Sequence, residues 1–298
     1  MAAHAPRSSP RDPPRLSAVL GRRWQDYRRE AQRLVEQPPR EPAVHDCRVA
    51  ARRLMTLLRL IESADDAPGA RGLRRRVRRR FRALARLRDV HVERQLAGDH
   101  AAQHPVLRSL ARHLRLQETA LAAAVAEELA RHALAEEHHH YAALTAYVSS
   151  KESHARTAPL LARLRREVAH RAEAVRRRAV AMKATDTDSL HAARVALKKL
   201  RYLLEVLQSL SGAAVMADRL RQAKGWQSRL GHVQDLRVLH DELAAYLAHH
   251  PRLKGETALH ALDGELSRAA LSAVRAKQRL AAFASALAGP AGTPHPAR

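Results

Sequence analysis

LHAARVALKKLRYLLEVL, Leu190–Leu207, is the stretch on which the fold is read. On a helix turning about 100° per residue, His191, Arg194, Lys198 and Arg201 fall at i, i+3, i+7 and i+10 and form one stripe, with Tyr202 beside it. Leu200, Leu203, Leu204 and Leu207 take the opposite face, and Lys199 the flank. The leucine face asks for a helical core. The stripe carries positive charge and no acid, so i,i+4 ion pairing gives no account of it.

The same pattern stands 146 residues upstream, in VHDCRVAARRLMTLLRLI, Val44–Ile61. His45 pairs with His191, Arg48 with Arg194, and Arg52 and Arg53 with Lys198 and Lys199, while Leu54, Leu57 and Leu58 pair with Leu200, Leu203 and Leu204. The ungapped offset carries on to Asp89 and Asp235, in LRDV and VQDL. A register kept over that span marks an internal duplication. A basic row repeated at successive turns, led by a histidine each time, suits a linear anion whose oxygens recur along its length.

Outward from these helices the pattern stays helical, and no stretch reads as a strand. Breaks are expected at 37–42, 63–72, 97–100, 149–159, 185–189, 209–213 and 249–257, giving about four helices to each half: 15–148 and 160–286 within one unit of 15–286. Thr185–Ser189, TDTDS, supplies N-cap chemistry ahead of the quoted helix. Residues 1–14 and 287–298, rich in Pro, Ser, Gly or Arg, read as a disordered leader and tail. A second basic segment, RGLRRRVRRRFRALARLRDV from Arg71 to Val90, places Arg75, Arg78, Arg79, Arg82 and Arg86 near one face; Arg221 and Lys224 are the counterparts of Arg75 and Arg78.

Charge narrows the partners. Lys plus Arg number 54 against 30 Asp plus Glu, a net +24, so a polyanion is expected: nucleic acid, an anionic membrane surface or inorganic polyphosphate. Aromatic residues are only 3% of the chain, too sparse for a base-stacking platform, which counts against single-strand binding. The one cysteine, Cys47, rules out an intramolecular disulfide framework and an all-cysteine metal site. The N-terminus lacks the apolar region of a signal peptide, and apolar runs such as LAAAVA are too short to span a bilayer, so a soluble cytoplasmic protein is expected.

Two constellations invite chemistry and are declined. Asp89 and Asp235 sit among arginines and read as orienting a guanidinium or bracing a helix contact rather than as an acid/base pair. His138, His139 and His140 are consecutive, so they point apart on a helix, and an exposed turn is the better reading than a metal site. No P-loop is present and no carboxylate cluster suits Mg²⁺, so a polyphosphate- or nucleotide-processing enzyme ranks last. No cofactor is expected. A nucleic-acid-binding module stays open as the alternative, although no nucleic-acid fold signature accompanies the charge.

The duplicated pattern H-x-x-R-V-A-x-K/R-K/R-L-R-Y-x-x-E with its following D-L/D-V segment resembles the CHAD domain (conserved histidine α-helical domain) over roughly residues 15 to 286. That resemblance implies two four-helix bundles related by pseudo-twofold symmetry, basic helices lining a central groove or pore, and binding of inorganic polyphosphate without catalysis, in association with polyphosphate granules. It implies phosphate contacts at His45, Arg48, Arg52 and Arg53 in one half and at His191, Arg194, Lys198, Lys199, Arg201 and Tyr202 in the other. Met55 departs from the pattern where the second copy has Arg201. The E-x-E-x-K start of the triphosphate-hydrolysing CYTH domain, to which CHAD domains are also found fused, is absent.

Overall fold

A computed structural model describes residues 15–132, 134–150, 154–211 and 214–288. Among them the chain makes eleven α-helices and no strand; the single β-bridge, Lys183 to Asp186, is a turn. They are α1 Leu16–Glu36, α2 Glu41–Ala64, α3 Ala70–Ala83, α4 Ala85–His100, α5 Val106–Ala130, α6 Ala135–Ser150, α7 His154–Val180, α8 Thr187–Ser211, α9 Ala214–His249, α10 Glu256–Arg275 and α11 Lys277–Ala288. None of the described helices is long and apolar enough to cross a membrane.

The local chemistry explains most boundaries. Pro38 and Pro39 separate α1 from α2, and Pro42 sits in the first turn of α2, where its missing N–H costs nothing. Asp186 caps α8 as TDTDS suggests, its Oδ1 accepting from the backbone N–H groups of Asp188 at 3.1 Å and Ser189 at 3.2 Å. Gly69 takes a positive φ of 81° before α3, where an added Cβ would drive into the carbonyl of His140.

The helix count differs from four per half: six helices lie in α1–α6 and five in α7–α11. One added break is at Leu84, a residue outside helical geometry between α3 and α4, and another is the turn between α5 and α6; neither carries proline or glycine. The break expected at 97–100 is helical to His100: Ala97 is buried in the smaller apolar cluster, and Gly98, which costs a helix roughly 1 kcal/mol, does not end it. The chain turns instead at 101–105, ahead of Pro105. The stretch 149–159 is helical up to Ser150 and again from His154, with Pro159 inside α7. Leu287 and Ala288, expected in the tail, close α11. The leader 1–14 and residues 289–298 lie outside the described residues. His138–His140 are helical within α6, not a turn, with the Trp24 ring edge-on to His138 at 5.2 Å.

Two apolar clusters hold the helices together. The larger draws Trp24, Leu54, Leu58 and Leu73 from α1–α3 together with Leu164, Leu197, Leu200, Leu204 and Leu280 from α7, α8 and α11. The smaller joins Val90, Leu107, Leu110 and Leu114 of α4 and α5 to Leu236, Leu239, Leu243 and Leu262 of α9 and α10. Both clusters take residues from both halves of the chain, so the halves share their cores. The leucine faces of α2 and α8 are thereby turned inward, which sends both basic stripes to the same side.

Candidate functional site

The two stripes meet in a cleft of about 1010 Å³ walled by α2, α4, α8 and α9. Ten sequence-predicted residues line it: His45, Arg48, Arg52 and Arg53 from α2; His191, Arg194, Lys198, Arg201 and Tyr202 from α8; and Lys224 from α9. The remaining six lie elsewhere. Lys199 is exposed outside the cleft, as are Arg75, Arg78, Arg79 and Arg82 on α3 and Arg221 on α9. Arg79 lies 3.6 Å from Glu128, and Arg221 donates to Asp218 at 3.0 Å. Within the arginine run the buried member is Arg80, at 4% exposure, which donates to the Tyr27 hydroxyl and the His132 carbonyl and faces Glu137 at 3.6 Å. That is a structural network, not a ligand contact.

Most cations of α2 are held in place by the protein. Arg48 stacks 4.2 Å over the Phe81 ring and donates through Nη1 to the Phe81 carbonyl at 2.8 Å. Arg52 lies 5.0 Å over the same ring and donates to the Tyr202 hydroxyl at 3.0 Å, which ties α2 to α8. Arg53 donates to Glu205 Oε2 at 2.9 Å. Burial and the neighbouring Arg88 hold the His45 imidazole below its ordinary range.

The wall supplied by α8 is less neutralised. Lys198 has no ion-pair partner among the described residues; burial, then Arg52, Arg194, Arg48 and Arg201, bring its ammonium down to about 8. The Nε of Arg194 is buried without a hydrogen-bond partner. His191 sits against Gln234, its Nδ1 at Oε1. Asp235 is held above the usual carboxylate range by burial, with Arg194 opposing, and Asp89 lies in the field of Arg48. Each aspartate thus lies in the field of the arginine of its own half, with no ion pair to it among the described residues.

Arg201 corrects that reading. It is buried at 9% exposure and ion-paired with Glu205, itself 8% exposed, at i,i+4. The stripe is therefore not free of acid contact: Glu205 holds Arg201 and Arg53 together, and the Arg201 guanidinium stacks 4.4 Å over Tyr202. Met55, at the matching place in α2, is buried in the larger cluster. Sequence reasoning also missed Arg88, Gln227, Ser228 and Gln234 in the lining, and Phe81 behind it. Arg88 is the residue just before Asp89, which was the available signal. Among the described residues no group of three or more His, Cys, Asp or Glu could hold a metal ion.

Comparison with known proteins agrees with this architecture. A family model described as CHAD domain matches residues 18–244. No curated protein matches the chain by sequence. Among solved structures, the CHAD domain from the plant Ricinus communis superposes with a TM-score of 0.64 at 22% identity, over 95% of this chain and 97% of that one. PptA from Streptomyces chartreusis superposes at 0.54 with 19% identity, over 90% and 97% respectively. At such identities the likeness speaks for the fold alone.

Proposed function

The chain belongs to the CHAD domain family, and on that premise we propose that it is a binding protein for inorganic polyphosphate, held in the cleft between α2 and α8. One observation carries this reading: Lys198, without an ion-pair partner among the described residues, and Arg194, with a buried donor unsatisfied, share one cleft with the stacked arginines Arg48 and Arg52. Cations crowded this way repel one another until an anion arrives. A chain with one negative charge on every repeat relieves that repulsion at each helical turn, through charge-assisted hydrogen bonds. Arg48 and Arg52 are held by Phe81 and Tyr202 and act as a preset wall; Lys198, Arg194 and Lys224 close on the chain from the other side.

No chemical step is assigned to the site. Asp89 and Asp235 line the cleft and lie in the fields of Arg48 and Arg194, partly offsetting their charge. Because one long polymer spans many protein copies, the same binding supports association with polyphosphate granules in the cytoplasm. The test is a titration with long-chain polyphosphate at physiological salt in the presence of excess duplex DNA and RNA. Retained tight binding supports a selective site. Loss to competitor means the +24 charge is a general polyanion trap, the nucleic-acid alternative. Affinity is also expected to fall steeply with salt as counterions are released, by analogy with nucleic acids.

A further inference from the structure

We propose that a second oxyanion site, separate from the central cleft, lies where α9, α10 and α11 meet, and that it takes a short run of condensed phosphate. The inference rests on the polyphosphate reading for its choice of ligand. Its concavity, about 470 Å³, is lined by Arg229, Arg268, Leu271, Ser272, Arg275 and Arg279. Four guanidinium groups from three helices share one hollow, and none has a carboxylate partner among the described residues. Some exposed arginines elsewhere lean on acids, Arg29 on Asp26 and Glu30, Arg171 on Glu167, Arg176 on Glu173 and Arg221 on Asp218. Others, such as Arg75, Arg78 and Arg82, have no ion pair among the described residues; what sets this place apart is that four converge on one concavity. Leu271, 46% exposed, and Ser272 complete the lining with Ala276.

The first half holds a smaller hollow, of about 20 Å³, little more than one water, lined by Arg76, Arg79 and Arg80 together with Glu128 and Glu137. There acids face the arginines, Glu128 at 3.6 Å from Arg79 and Glu137 at 3.6 Å from Arg80. The outer hollow of the second half is larger and is lined by four arginines and no acid.

Arginine's planar fork suits carboxylate and phosphate alike. Density decides between them. A condensed phosphate carries charge on every unit, so a short run serves all four arginines, whereas an extended acidic peptide turns alternate side chains away. The helix termini contribute little, since the site lies at both the C-terminal end of α10 and the N-terminal end of α11, whose dipoles oppose. Helix α9 is the wall between the two sites: Ser228 lines the central cleft and Arg229 the outer one. One protein molecule then holds phosphate chain at two separate faces, which lets it cross-link chains instead of only coating them.

The experiment is calorimetric titration of the full chain with tripolyphosphate, read for stoichiometry, on wild type, R268Q/R275Q/R279Q and R194Q/K198Q, with folding checked by circular dichroism. The wild type is expected to take two equivalents, and R268Q/R275Q/R279Q to lose the weaker by about a hundredfold while keeping the stronger. R194Q/K198Q is expected to lose the stronger and keep the weaker. One equivalent in the wild type, untouched by R268Q/R275Q/R279Q, overturns the outer site and leaves the central reading standing. Two equivalents with only the outer one sensitive to substitution overturns the central reading instead. Displacement of tripolyphosphate from the outer site by a single-stranded oligonucleotide at equal phosphate concentration overturns the ligand class. With long-chain polyphosphate, light scattering is expected to show assemblies for the wild type that R268Q/R275Q/R279Q fails to form.

Discussion

The two basic helices facing the cleft carry nearly the same sequence pattern and spend their cations differently. On α2, Arg48, Arg52 and Arg53 are each engaged: by the Phe81 carbonyl and ring, by the Tyr202 hydroxyl, and by Glu205. On α8, Arg194 keeps an unsatisfied buried donor and Lys198 has no ion-pair partner among the described residues, while Arg201, its Nε likewise unsatisfied, is ion-paired with Glu205 through Nη1. The partners account for the difference. In the pairing register the position of Phe81 holds Gln227, that of Tyr202 holds Thr56, and that of Glu205 holds Arg59. One helix is thus a braced wall and the other a poised grip. Equal motifs do not make equal ligand contacts; what lies behind each side chain decides how much of its charge is left for a ligand.

The strongest way to break this comparison is charge reversal on the poised side. R194E/K198E is expected to weaken polyphosphate affinity by about a hundredfold or more, since two charge-assisted contacts become repulsions. R176E/R177E makes the same charge change on α7, where both arginines already lean on Glu173. There a loss of about threefold or less is expected, from the overall field alone. Equal losses in a filter-binding assay would mean that diffuse charge, not the cleft, holds the ligand.

The braced side is sharpened by removing its counter-charge. E205Q leaves buried Arg201 without its ion pair and releases Arg53, so chemical denaturation is expected to show a loss of about 2–4 kcal/mol. The same change adds a positive charge to the cleft wall, so polyphosphate affinity is expected to hold or rise. Stability lost together with affinity would instead make Glu205 an organiser of the whole site.

How much of this could be read from the sequence follows from where each cause sits. The helical class and the two basic stripes, His45, Arg48 and Arg52 on one helix and His191, Arg194 and Lys198 on the other, follow from period and register within single helices, which a sequence displays directly. That both stripes line one groove was implied only by the resemblance to the CHAD domain. The partners that brace the cations of α2 come from other helices: Phe81 from the end of α3, Tyr202 reaching across to Arg52, Glu205 reaching across to Arg53. Those pairings need the crossing of helices, which no local pattern specifies, whereas the Arg201–Glu205 pair is i,i+4 within α8 and stood in the sequence. The arginine run of α3 failed for the opposite reason. With basic residues at 74–76, 78–80 and 82 every face is charged, so the helical phase is unreadable; Arg80 went inward and Arg75, Arg78, Arg79 and Arg82 outward, away from the cleft.

Lys198 makes the comparison titratable. Its ammonium is brought down to about 8 by burial and four arginines, so in the free protein the charged form is penalised below that pH and the penalty is relieved as pH rises toward the unfolded value. The contribution of Lys198 to stability therefore increases from about pH 8 toward about 10.5. Phosphate reverses the preference: binding draws a proton onto Lys198, so affinity is expected to fall as pH rises through about 8, with proton uptake seen as a buffer-dependent heat. K198R keeps the charge at all these pH values and is expected to flatten the profile, whereas its counterpart R52K is not expected to match wild-type binding, because the stack on Phe81 is lost.

The smallest effect belongs to the histidine that opens the braced helix. Burial and Arg88 hold His45 below its ordinary range, so it is neutral in the empty cleft near pH 7.5. H45Q is expected to change affinity by less than about threefold near pH 7.5. On acidification to about pH 6 a bound phosphate chain favours the imidazolium, so the wild type is expected to gain affinity where H45Q does not. Without ligand the sign is opposite for stability: the depressed imidazole resists protonation in the folded state, so its contribution is lost as pH falls below the ordinary histidine range. Thermal melts across that range, with and without polyphosphate, separate the two effects. A wild-type profile that H45Q leaves unchanged would place the pH response on the poised helix alone.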